Sequence, residues 1–109
     1  MGIPNIREFN PQDWNGYAGA ERFTDGSEPL ICDTDTCTIL CDNNGVEVDF
    51  EDRIYFVTMA TNPETLTPEL WTQEIAKLVV ANLAKTFSHK TAEEAMRYCD
   101  DHNWAHIEI

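Results

Sequence analysis

Between residues 30 and 60 the chain runs in short apolar stretches separated by turn chemistry. Val46, Val48 and Phe50 alternate with Glu47, Asp49 and Glu51, the period of two that sends successive side chains to opposite faces of a strand. One face of that strand is apolar and the other is acidic. Upstream, 30–32 and 37–41 read as two strands flanking Asp33-Thr34-Asp35-Thr36, residues whose side chains bond their own backbone and close a turn. Asn44-Gly45 is the dipeptide favoured where a hairpin needs positive φ, and Glu51-Asp52 marks the next reversal. Residues 53–60 are apolar at alternate and intervening positions alike, as expected of a strand covered on both faces.

A helical period follows. Thr67-Pro68-Glu69 offers an N-cap, a proline for the first helical position and an acid for the first turn, which predicts a helix over 68–86. Trp71, Ile75, Leu78, Val79 and Leu83 form its apolar stripe, widened by Leu70, Val80 and alanines into a girdle. Asn82 projects into that stripe and is expected as a buried structural amide, so that Asn82→Leu would change stability more than binding. Thr91-Ala92-Glu93-Glu94 fits a capping box and starts a second helix with Ala92, Ala95, Met96 and Cys99 inward. Asn103 suits the left-handed residue that ends this helix, and 104–109 alternate again as a final strand.

The elements predict an α+β fold, an antiparallel sheet of about four or five strands (a meander plus a C-terminal strand) packed against one long and one shorter helix. Residues 1–29 carry Pro4, Pro11 and Pro29 and the rings of Phe9, Trp14, Tyr17 and Phe23. They are expected as an irregular arm of the same domain, pinned by those rings, with one helical turn near 11–17 and a frayed start. The remaining 30–109 form the body of the domain.

At 109 residues and 42% hydrophobic, the chain has enough apolar content for one core without an obligatory metal or disulfide. The absence of a long apolar run and of a secretory leader at Met1-Gly2-Ile3 predicts a cytoplasmic protein that does not span a membrane. Twenty acids against seven bases give a net charge of −13, which disfavours direct contact with nucleic acid or anionic lipid. The charge is also uneven: from Asp25 to Asp52 there are nine acids and no lysine or arginine. Asp33, Asp35, Glu47, Asp49, Glu51 and Asp52 are therefore the candidate docking residues for a basic protein partner. The most specific form of this expectation is a charge mimic that occupies the phosphate site of a nucleic-acid-binding protein.

Four cysteines and three histidines raise the alternative of a small metal-binding domain. Its candidate ligands are Cys32 and Cys37, which flank one turn, and Cys99, His102 and His106, spaced i, i+3 and i+7. Cys37 and Cys41 lie about 13 Å apart along a strand at ~3.3 Å per residue, too far to share an ion. Reduced, buried thiols are the simpler expectation, with no cofactor. A third reading is a structural subunit that hides its helical girdle in a homo-oligomer. The acids from Asp33 do not complete a calcium loop, because Thr38 and Asn44 stand where glycine and glutamate are required. There is no glycine-rich phosphate loop, no G-x-S-x-G and no H-E-x-x-H. Ser88-His89 adjacency does not itself set a hydroxyl on an imidazole, so a non-enzymatic role is expected.

Overall fold

Hairpin chemistry dominates the first half of the chain, and local turns join strands that then pair with their neighbours. A computed structural model describes residues 5–8, 21–51, 53–58 and 72–109. Its strands are β1 (Asn5–Glu8), β2 (Leu30–Asp33), β3 (Cys37–Asp42), β4 (Gly45–Phe50), β5 (Arg53–Thr58) and β6 (Ala105–Glu108), with α1 (Gln73–Phe87) and α2 (Ala92–Asp101) between β5 and β6. All neighbours are antiparallel, and sheet order equals chain order. This is the α+β meander with a C-terminal strand that the pattern predicts. The arm adds an edge strand to it, because Asn5–Glu8 pairs with β2 instead of remaining irregular. The helical turn near 11–17 lies outside the described residues.

The β3–β4 reversal fixes the register. Asp42 pairs with Gly45, which carries φ +132°, and the Asp42 carboxylate accepts from the Asn44 backbone N–H at 2.8 Å. Its other oxygen accepts from Glu21 N–H at 3.1 Å, so this buried acid also ties the arm to the sheet. Phe23 is buried close by in sequence, the one predicted pinning ring among the described residues. Val46, Val48 and Phe50 then face the helices, as do Cys32, Cys37, Ile39, Cys41, Tyr55 and Val57. Residues 59–60 of the expected fifth strand lie outside the described residues, and Tyr55 and Val57 are buried on one face of β5 while Ile54 and Phe56 are half-buried on the other.

α1 begins later than expected. Thr72 is extended (φ −106°, ψ 166°) and its hydroxyl accepts from Ile75 N–H, so it caps a helix that starts at Gln73. Trp71 and the Thr67-Pro68-Glu69 signal lie outside the described residues. The buried face is Ala76, Val80, Leu83, Ala84 and Phe87, rotated by roughly a third of a turn from the expected stripe at 100° per residue. Two alanines, Ala76 and Ala84, belong to this buried face beside Val80, Leu83 and Phe87, where a small side chain permits close approach to the sheet. Leu78 is 73% exposed, Ile75 and Val79 are half-buried, and Asn82 is exposed, so Asn82 is not the buried amide that the stripe predicts.

The α2 reading holds in detail. Thr91 Oγ accepts from Glu94 N–H at 3.2 Å, Glu94 accepts from Thr91 N–H at 2.9 Å, and Asn103 adopts φ 62° after the helix. A run of rings ties the layers: Phe87 lies 6.5 Å from Trp104 and 6.4 Å from Phe50, and Tyr55 lies 6.3 Å from Phe50 and 6.1 Å from His106. Leu83→Ala is expected to cost about 2 to 5 kcal/mol in urea denaturation, whereas Leu78→Ala and Asn82→Leu stay within about 0.5 kcal/mol. A larger loss at Leu78 than at Leu83 would contradict this facing of α1.

Candidate functional site

With Val46, Val48 and Phe50 under the helices, alternation sends Glu47 and Asp49 to the opposite face of the sheet. Cross-strand register puts Glu47 between Leu40 and Phe56, and Asp49 between Thr38 and Ile54. Asp33 pairs with Thr38 in the same row as Asp49 and accepts from the Thr38 hydroxyl at 3.1 Å. Three of the candidate docking acids are thus brought to one face. Glu51 is exposed just past the end of β4, and Asp52 lies outside the described residues.

Glu47 and Asp49 are half-buried and, among the described residues, form no ion pair. Burial raises the Glu47 carboxyl above its ordinary value, reinforced by repulsion from Asp42 and Asp49, and burial raises Asp49 as well. Lys77 and Lys85 are on α1, Arg97 is on α2 and Lys90 is in the connection between the helices, Arg53 on β5 donates to the Tyr55 hydroxyl, Arg22 pairs with Glu28, and Arg7 on β1 stands in the Glu47 row three strands away, beyond Ile31 and Leu40. The molecule therefore carries an acidic sheet face behind a layer that holds most of its positive charge.

Asp35 has a different task from the other acids. Its carboxylate accepts from the Ser88 hydroxyl at 2.8 Å and from His89 N–H at 2.9 Å, and it pairs with His89 Nδ1. This clasp joins the β2–β3 turn to the α1–α2 connection, where His89 takes φ 66°. Ser88 and His89 both address Asp35: the hydroxyl donates to the carboxylate and the imidazole pairs with it, whereas nucleophilic catalysis would set the hydroxyl on the imidazole. The Ser88 hydrogen bond, with His89 behind it, holds the Asp35 carboxyl below the usual carboxylate range. Beside the clasp is a cleft of about 560 Å³ that also meets Asp49 and Glu51. Only the folded chain reveals this junction, because its partners are more than fifty residues apart.

The metal candidates point in different directions. Cys32, Cys37 and Cys99 are buried among the core side chains. Burial pushes the Cys37 thiol up, and pushes Cys99 up to about 11, which keeps both protonated and poorly nucleophilic. His102 stacks on Tyr98 with ring centroids 3.9 Å apart, while His106 Nε2 pairs with Asp100 at 2.9 Å. Among the described residues, no group of three or more histidine, cysteine, aspartate or glutamate side chains could hold a metal ion. Nor is any helix among them long and apolar enough to cross a membrane.

The raised carboxyls make a linkage test. Glu47 and Asp49 hold protons more tightly folded than unfolded, so their ionisation favours the unfolded chain. That penalty is absent below their ordinary values of 4.5 and 3.8 and sets in as pH rises through the folded ones. Glu47→Gln with Asp49→Asn is expected to raise the urea midpoint over wild type at pH 7, the gain vanishing near pH 3. Asp35→Asn is expected to do the reverse, losing at pH 7 a stabilisation that wild type itself loses on acidification. Family models, curated proteins and solved structures give no match to this chain, and the site is read from its own geometry.

Proposed function

We propose that this protein is a small acidic interaction module that docks a basic protein through the β4 face of its sheet. The carrying observation is the row of Glu47 and Asp49, half-buried on the face away from the helices with no cation paired to either among the described residues. Side chains two apart on a strand stand ~6.7 Å apart, which gives a regular row of negative charge. Like charges so arranged repel, and a basic partner would relieve the repulsion. Glu51 extends the negative field past the strand end. The net charge of −13 extends its reach and steers a cationic partner before contact. Four buried cysteines outside any disulfide among the described residues fit a reducing compartment such as the cytoplasm. The charge-mimic form of this reading assigns the partner's phosphate-binding surface as the docked region.

Affinity capture from the native host supplies the partner, and stopped-flow association tests the face. Replacing Glu47, Asp49 and Glu51 by Gln, Asn and Gln keeps side-chain shape and leaves Val46, Val48 and Phe50 in the core. The triple variant is expected to associate about tenfold more slowly at ~50 mM salt, and its rate should vary less between ~50 and ~200 mM. Equal rates and equal salt slopes for the two proteins would overturn the docking role. A captured partner released by competing duplex DNA supports the charge-mimic form; one indifferent to DNA contradicts that form alone.

A further inference from the structure

The acid row does not stand alone on its face. Register continues each acid across two more strands: Glu47 pairs with Phe56, which pairs with Ile107, and Asp49 pairs with Ile54. Ile109 N–H donates to Ile54 O at 2.8 Å, so the second row ends on Ile109 as the first ends on Ile107. Each row therefore reads acid, apolar, apolar toward the β6 edge. Burial falls in the same direction: Leu40 is 1% exposed, Glu47 and Phe56 are half-buried, and Ile107 and Ile109 are 68% and 70% exposed. The Phe56 ring tip reaches Gly45, whose missing Cβ would stand 3.0 Å from it, so this aromatic crosses toward β4 on the face of Glu47. The result is an apolar strip on β5 and β6 bordered along β4 by negative charge.

Resting on the docking role above, we propose that the occupant of this strip is a basic amphipathic α-helix of the partner protein. The helix lies along β5 and β6, its apolar side on Ile54, Phe56, Ile107 and Ile109 and one cationic edge along Glu47 and Asp49. Dimensions favour this occupant. Two strands at ~4.8 Å spacing make a strip about 10 Å wide, the diameter of a helix. Lys or Arg residues at i and i+4 rise ~6 Å, close to the ~6.7 Å between alternate strand residues. A strand added to the β6 edge would sit three spacings, about 14 Å, from β4 and leave the acids unused. A second copy would bring a further −13 against the same acids. A basic amphipathic helix satisfies both the charge and the exposed isoleucines.

Fluorescence anisotropy with three labelled peptides tests this: an 18-residue Leu/Lys peptide patterned as an amphipathic helix, a scramble of the same composition, and oligolysine. Wild type is expected to bind the patterned peptide at least tenfold more tightly than the scramble. Ile107→Thr with Ile109→Thr, at exposed positions suited to a β-branched residue, should abolish that preference and leave oligolysine affinity unchanged. Glu47→Gln with Asp49→Asn should weaken all three. Amide shift changes in unmodified protein should centre on β5 and β6, an expectation that needs no variant to fold. Equal binding of patterned and scrambled peptides, with both weakened by the acid variant, overturns the helix and leaves the docking face standing. Affinities untouched by the acid variant overturn the docking face itself. A wild-type dimer in sedimentation that the isoleucine variant converts to monomer would assign the strip to a second copy and overturn the helical occupant.

Discussion

Register at the β3–β4 hairpin is the constraint on which the remaining structure depends. Side-chain period along a strand is two, so a slip of one residue would exchange Val46, Val48 and Phe50 with Glu47, Asp49 and Glu51. Acids would then lie beneath Ala76, Val80 and Leu83, where an unpaired charge costs several kcal/mol. Asp42 guards against the slip, because its two carboxylate oxygens hold the Asn44 and Glu21 amides while Gly45 supplies the positive φ. A local turn thus decides which face receives the helices and which remains charged.

Above that face the helices are fixed by means that differ at their two ends. Small side chains at Ala76 and Ala84 let α1 lie close on the sheet, and Phe87 reaches Phe50 at its C-terminal end. Just beyond, Asp35 clasps Ser88 and His89, so the left-handed turn into α2 is held by the β2–β3 turn. The α2 end is locked to β6 by Trp104 against Phe87 and Tyr98, and by His106 against Asp100. Histidines that suggest ligands in the sequence are joints of the scaffold here.

The strands and the second helix were legible because each of their signals is local. Alternation in β4, the Asn44-Gly45 turn and the Thr91–Glu94 box work within a few residues and need no knowledge of what packs against them. The facing of α1 was not legible. Large apolar residues at Ile75, Leu78 and Val79 outweigh alanines in any stripe drawn from the sequence, yet close packing on a sheet selects the alanines. The start of α1 was hard to place for a related reason: the proline and acid after Thr67 draw attention upstream, while Thr72, whose hydroxyl meets the Ile75 amide, is followed by no proline in the sequence. Asp35 lies in the same acidic block as the other candidate acids, and its contacts across more than fifty residues are invisible in the sequence.

The physical oddity of the β4 face is that its charges work against the fold that presents them. Desolvation raises both Glu47 and Asp49, so each ionisation at neutral pH favours the unfolded chain. Neutral amides of the same shape would sit on the strand without that cost, and a strand face needs no carboxylates to pair with its neighbours. Solubility does not require them there either, since the surface carries many other acids, Glu93, Glu94, Asp100 and Asp101 on α2 among them. Half-buried acids bordered by Phe56 and Ile54 are poor solubilisers, because their charge is partly withdrawn from water and their neighbours are apolar. The same placement strengthens them toward a cation that covers the strip and excludes the remaining solvent, where a charge pair is screened less than at an open surface. An arrangement unfavourable for the isolated fold and favourable for a covered one supports the docking role proposed for this face.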